Sequence, residues 1–177
     1  EGLISLSMEI SGTSEKKPVY DRIGHTAVLL VNGFSGIGVH SMLSIFRVFG
    51  DHFHNFVVMQ VGVIDAETFK GREHLEELKA KNQADVQKYI DFLTKRGFYT
   101  EAFTSTGLDV VDEVMKLVPE IKARFPRSVF FGGQIVFPQD TFLTRLLHNY
   151  TVFSLQRKLY MQGMEFVILP IKMRTEA

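Results

Sequence analysis

His25-Thr26-Ala27-Val28-Leu29-Leu30-Val31 is followed at once by Asn32-Gly33-Phe34-Ser35-Gly36-Ile37-Gly38, and this join decides the fold. The first seven residues form an unbroken apolar run of strand length. The glycines and the serine after it spell a tight turn. From Val39 the pattern changes period, with Met42, Leu43, Ile45, Phe46 and Phe49 spaced for one face of a helix that Gly50 stops. A continuously apolar strand is buried on both faces, which is the habit of parallel sheets covered by helices on either side.

The same alternation repeats outward from this unit. Residues 55–64 form a second apolar run rich in β-branched side chains, and 71–96 form a long charged helix with Leu75, Leu78, Val86, Tyr89, Ile90 and Leu93 inward. Lys79 and Asn82 interrupt that stripe, so its middle is expected to dock loosely. Residues 98–104 read as a more polar strand, suited to a sheet edge. Thr106-Gly107-Leu108-Asp109 opens a helix that runs to Phe125 and should kink at Pro119. Residues 128–137 are the next strand, interrupted by Gly132-Gly133. A helix over 140–162 ends at Gly163, and 165–173 is the last strand, placed at an edge because Pro170 cannot donate to a ladder.

Five strands alternating with four helices, joined by short right-handed crossovers, imply an α/β fold. The expected form is a three-layer, doubly wound, parallel five-stranded sheet in the order 3-2-1-4-5. Residues 1–24 are read as an N-terminal arm or linker, and 25–177 as one α/β domain. Within the arm, residues 3–10 alternate as a short strand that can add to a sheet edge, and a polar loop with Gly12 and Pro18 follows.

Composition narrows the function classes. The 177 residues carry 20 Lys and Arg against 20 Asp and Glu, a formal charge of zero that argues against nucleic acid as the main partner. No cysteine is present, so disulfides, thiolate metal sites and a cysteine nucleophile are excluded. No window reaches the ~20 apolar residues of a membrane-spanning helix.

The turn is the foremost candidate site. Asn32, Gly33, Phe34, Ser35 and Gly36 stand where backbone N–H groups could cradle a ligand, and Gly132 and Gly133 lie on the neighbouring strand. The turn resembles the short-chain dehydrogenase fingerprint but is one residue short. The Tyr-x-x-x-Lys pair of that family is also missing, since no tyrosine here has lysine four residues on. Asp65, closing the second strand, is compatible with a ribose contact. Ser35 does not sit in the Gly-x-Ser-x-Gly elbow of a hydrolase. Asp51-His52-Phe53-His54 offers two imidazoles but no third metal ligand. Asn149-Tyr150-Thr151 matches a glycosylation acceptor by accident, within a helix. Asp112 and Glu113 with Lys116, and Asp91 with Lys95, read as ordinary solvated helix pairs. The expectation is a non-enzyme with no cofactor and no metal.

Two resemblances extend this reading. The strand and helix plan resembles the universal stress protein architecture, an adenine-nucleotide-binding fold. That family's glycine signature follows the fourth strand, where this chain reads "GGQIVFPQDTFLTRLLHNYTVF" with no glycine between Gly133 and Gly163. The stretches "HTAVLLVNGFSGIGVHSMLSIFRVFGDHFHNFVVMQVGVID", "GLDVVDEV", "FFGGQIVFP" and "LLHNYTVFSLQRKLY" resemble the cytosolic C-terminal domain of bacterial amino acid permeases, of the amino acid–polyamine–organocation transporter superfamily. The absence of an initial Met fits a domain of a longer polypeptide. The resemblance implies a regulatory or assembly domain at the cytoplasmic face of the membrane. Its partner would be the membrane-embedded part of the same chain, with a nucleotide or small-molecule effector. A homodimer is expected through the apolar last strand, Phe166-Val167-Ile168-Leu169-Pro170-Ile171.

Overall fold

A computed structural model describes residues 17–67, 69, 71–136 and 142–172, with side chains for all of these but 134–136, 142–149 and 172. The expected strand at 3–10 lies outside the described residues. Five strands make one parallel sheet: β1 (His25–Val31), β2 (Phe53–Val63), β3 (Tyr99–Gly107), β4 (Ser128–Val136) and β5 (Glu165–Lys172). Their order is β3-β2-β1-β4-β5, as the sequence implies. The helices are α1 (Gly36–Phe49), α2 (Arg72–Lys95), α3 (Val110–Arg124) and α4 (Phe142–Met161), with a short 3₁₀ turn, Gly50–His52, between α1 and β2.

The continuous apolar runs are explained by two cores, one on each face of the sheet. Ala27, Leu29 and Val31 of β1 pack with Met42 and Ile45 of α1 and Val86, Tyr89 and Leu93 of α2. Val28 points the other way, into a core with Val114, Val118 and Ile121 of α3 and Leu155 and Leu159 of α4. A strand whose alternate residues both need oil cannot alternate in polarity. The edge strand β3 is contacted by both α2 and α3, yet with a neighbouring strand on one side only its residues stay mostly half-buried.

Four local expectations are corrected. Helix α1 begins at Gly36 rather than Val39, because Ser35 is an extended N-cap whose hydroxyl accepts from the Gly38 N–H at 3.3 Å. The middle of α2 is docked rather than loose, since Asn82 is 3% exposed and accepts from the Gln60 side chain of β2 at 2.9 Å. Gly132 and Gly133 make no interruption, for the β4–β5 register runs without a break from Val129↔Glu165 to Val136↔Lys172. Asp109 alone caps α3, accepting from the Asp112 N–H, while Thr106 and Gly107 belong to β3. Pro119 lies inside α3, which continues to Arg124.

Candidate functional site

In an open parallel sheet the crossovers on either side of the first strand leave in opposite directions, and a crevice opens at the carboxyl ends of the strands there. Here β1 feeds α1 on one face, and its neighbour β4 feeds α4 on the other. A cavity of about 480 Å³ sits at that point. This is an ordinary size for a small-molecule site.

The cavity brings together Asn32 and Ser35 of the turn, Gly38 and Ser41 of α1, and Gly132 and Gly133 of β4. Apolar side chains complete the wall, with Val61 and Val63 from β2 and Val110 and Val152 from the helices of the far face. The described lining carries no carboxylate, imidazole, amine or guanidinium. Two of its three hydroxyls are already engaged: Ser35 caps α1, and Ser41 donates to the Ile37 carbonyl at 2.9 Å. Thr151 supplies the third.

The other candidate residues turn away from the cavity. Tyr89 of α2, fully buried, donates its hydroxyl to the Gly33 carbonyl at 3.2 Å and lies 3.5 Å from the Ser35 N–H. Burial holds this phenol above its usual pKa, so it stays a neutral donor. The Phe34 ring stands edge-on to Tyr89 at 4.9 Å, and the Lys88 ammonium lies over the same ring, 5.2 Å from its centre. Lys88 is also paired with Asp85 at 3.4 Å.

The glycines therefore have three separate reasons. Gly33 has φ +69°, the left-handed region where glycine is favoured. A Cβ at Gly38 would come within 2.0 Å of the Tyr89 hydroxyl, so that glycine makes room for a core tyrosine. A Cβ at Gly36 would meet nothing within 4 Å. On β4, Gly132 lies under the Phe166 ring and Gly133 against the Ser41 hydroxyl, each close enough to exclude a side chain.

Sequence reasoning missed Tyr89, Asp85 and Ser41 as neighbours of the turn. Tyr89 was legible as an inward residue of α2, but nothing local says that its hydroxyl reaches the turn after β1. It also misplaced Glu113, which is no solvated partner. Glu113 is 8% exposed, accepts from the Ser105 hydroxyl and the Lys116 ammonium at 2.5 Å each, and is held below the usual carboxylate range by them.

The histidines of 51–54 lie at the opposite, amino end of the sheet. His52 stacks on His25 at 4.3 Å, and His54 pairs with Asp21 at 2.6 Å. Among the described residues no group of three or more His, Asp or Glu is placed to hold a metal ion. Nor is any described helix long and apolar enough to cross a membrane.

With this geometry in view, the fold resembles that of a universal stress protein family member from Burkholderia pseudomallei. The TM-score is 0.56 at 14% identity, covering 81% of this chain and 96% of the other. A second solved structure, the Plasmodium falciparum nicotinic acid mononucleotide adenylyltransferase complexed with NaAD, aligns at a TM-score of 0.38 and 10% identity, over 85% of this chain and 78% of that one. No protein-family model matches the sequence, and no curated protein does. The class is thus an α/β fold of the universal stress protein type. At this identity the likeness concerns the fold alone.

Proposed function

We propose that this chain is a non-catalytic regulatory domain of a membrane amino acid transporter, held at the cytoplasmic face, and that its switch-point cavity takes a small effector. The observation that carries the non-catalytic reading is the described lining of that cavity. Acid–base and nucleophilic catalysis need a titratable group or an activated hydroxyl in reach of the substrate. The cavity offers amide, hydroxyl and backbone groups, with Ser35 and Ser41 committed to α1. The transporter reading is supported by the segment likenesses to bacterial amino acid permeases, which take in about two fifths of the chain. Homodimerisation through β5 belongs to the same reading.

The test is the reading frame upstream of Glu1, followed by transport measurements on the parent protein. A series of ~20-residue apolar spans upstream, and transport whose rate or regulation changes with Ser41→Tyr in the cavity, support the proposal. A reading frame that opens within a few residues of Glu1 overturns it.

A second reading, a stand-alone nucleotide-binding stress-type protein, is favoured by the fold likeness and by the first turn of α1, whose Ile37 and Gly38 line the cavity. Against it, the Asp85 carboxylate lies 3.5 Å from where a Gly33 Cβ would stand, a negative charge beside the turn that disfavours an anion there. Calorimetry with ATP separates the two, since micromolar affinity revives the nucleotide reading.

A further inference from the structure

The strands on either side of β1 do not stop where it does. β1 pairs with β2 as far as Val31↔Gln60 and with β4 as far as Leu30↔Gly132. β2 then runs on to Val63 and β4 to Val136, each still paired on its outer side, to β3 and β5. Beyond Val31 the sheet therefore holds a gap where one strand is missing. The strands that flank it stand about 10 Å apart, twice the usual strand spacing. Among the described residues their inner sides have no strand partner there.

The cavity of about 480 Å³ occupies this gap from both faces of the sheet. Ile37 and Ser41 line it from the α1 side, and Val110 and Val152 from the side of α3 and α4. It is thus a slot through the sheet, one strand wide, and a flat molecule fits such a space better than a branched one. A molecule seated there meets Val61 and Val63 of β2 on one flank and the glycines of β4 on the other. Val63 is 51% exposed, apolar surface that only water now covers.

The charge of the lining narrows the occupant further. With Ser35 and Ser41 bonded to α1, the polar side chains left to a ligand among the described residues are the Asn32 amide and the Thr151 hydroxyl. Both are neutral, as are the backbone groups of the gap. A carboxylate, ammonium or phosphate moved into this lining gives up its hydration and gains no counter-charge. An uncharged ring gives up little and buries apolar surface against the valines. We propose that the effector of this cavity is a planar, uncharged ring compound with few polar groups, seated in the gap between β2 and β4. The proposal rests on the reading of the cavity as an effector site and narrows it. A free amino acid, as a zwitterion, and a nucleotide, as an anion, are both the wrong class.

The chain has no tryptophan, so the fluorescence of an added indole ring is read without interference from an indole of its own. Four probes share that ring and differ in charge: indole, tryptamine, indole-3-acetate and tryptophan. Titrated into the full chain, indole should bind with a blue-shifted emission, and each charged probe should bind at least roughly tenfold more weakly. Val63→Asp places a carboxylate at the slot, on a half-exposed position outside both cores. It should weaken indole and turn the order in favour of tryptamine. A charged probe that binds the unaltered chain as tightly as indole overturns the proposal. So does silence from all four probes, or an order that Val63→Asp leaves unchanged. The effector reading is judged apart from this: it falls if Ser41→Tyr leaves transport by the parent protein unchanged, whichever probe binds.

Discussion

A methyl group meets opposite fates at Gly36 and Gly38, two residues apart in α1. At Gly36 it enters open space in a helix whose backbone it also favours, and removing a glycine lowers the entropy of the unfolded chain. Gly36→Ala should therefore raise stability by about 0.5–1 kcal/mol. At Gly38 it collides with the Tyr89 hydroxyl, which cannot retreat without losing the Gly33 carbonyl. Gly38→Ala should cost about 1–3 kcal/mol, as overpacking of a buried site does. Chemical denaturation of the two variants checks both signs. The pair also bears on function: an anion cradled closely by the turn would need Gly36 bare, so an unchanged ligand response in Gly36→Ala argues that the turn is structural. The sequence could not separate these glycines. Both sit in one glycine-rich stretch, and what distinguishes them is a tyrosine fifty-one residues along the chain from Gly38.

At the scale of elements, the apolar strands were legible because burial on both faces leaves a mark in consecutive residues. Polar groups that satisfy one another across elements leave no such mark. Asn82 looked like a flaw in the stripe of α2, yet it faces Gln60 of β2, and Gly62 leaves the space for its amide. Each of the two amides keeps one buried atom without a partner, Gln60 Oε1 and Asn82 Nδ2. Asn82→Ala alone strands the Gln60 amide and should cost about 1–3 kcal/mol, whereas Gln60→Leu with Asn82→Leu should recover most of that loss. A double-mutant cycle by urea unfolding measures the difference. Glu113 links β3 to α3 in the same unseen way. Its carboxyl is depressed by Lys116 and Ser105, so its contribution is present above the usual carboxylate range and is lost as pH falls through its lowered folded value. Glu113→Gln should flatten the acid limb of stability against pH below about pH 5, with little change in slope near neutrality. Stability that falls just as steeply in the variant would show that the pair contributes nothing.

For the whole molecule, the decisive question is what β5 meets. The sequence made this strand look like a bare apolar edge. The structure places α1 and α4 against it, so that Phe166, Leu169 and Ile171 are already buried within the chain and Pro170 is exposed. What the edge still presents is backbone, and the outer face of α4 presents Tyr150, Phe153, Tyr160 and Met161, from 48% to 77% exposed. Tyr150, Phe153 and Tyr160 fall at helical spacing on one side of α4, opposite the buried Leu155 and Leu159. In the proposed homodimer an isologous contact would join two such edges about a two-fold axis, with the α4 aromatics adding side-chain burial where Pro170 limits the ladder. The expected state is a homodimer at tens of micromolar, by light scattering. Phe153→Ser with Tyr160→Ser should return it to monomer without loss of helix content or thermal stability, since neither side chain is part of the two cores. Ile168→Lys is the harsher variant, because Ile168 packs partly against one core, and it needs circular dichroism alongside to show that the fold survives. A chain that is monomeric before any substitution leaves the α4 aromatics without a second copy to cover them and overturns the homodimer.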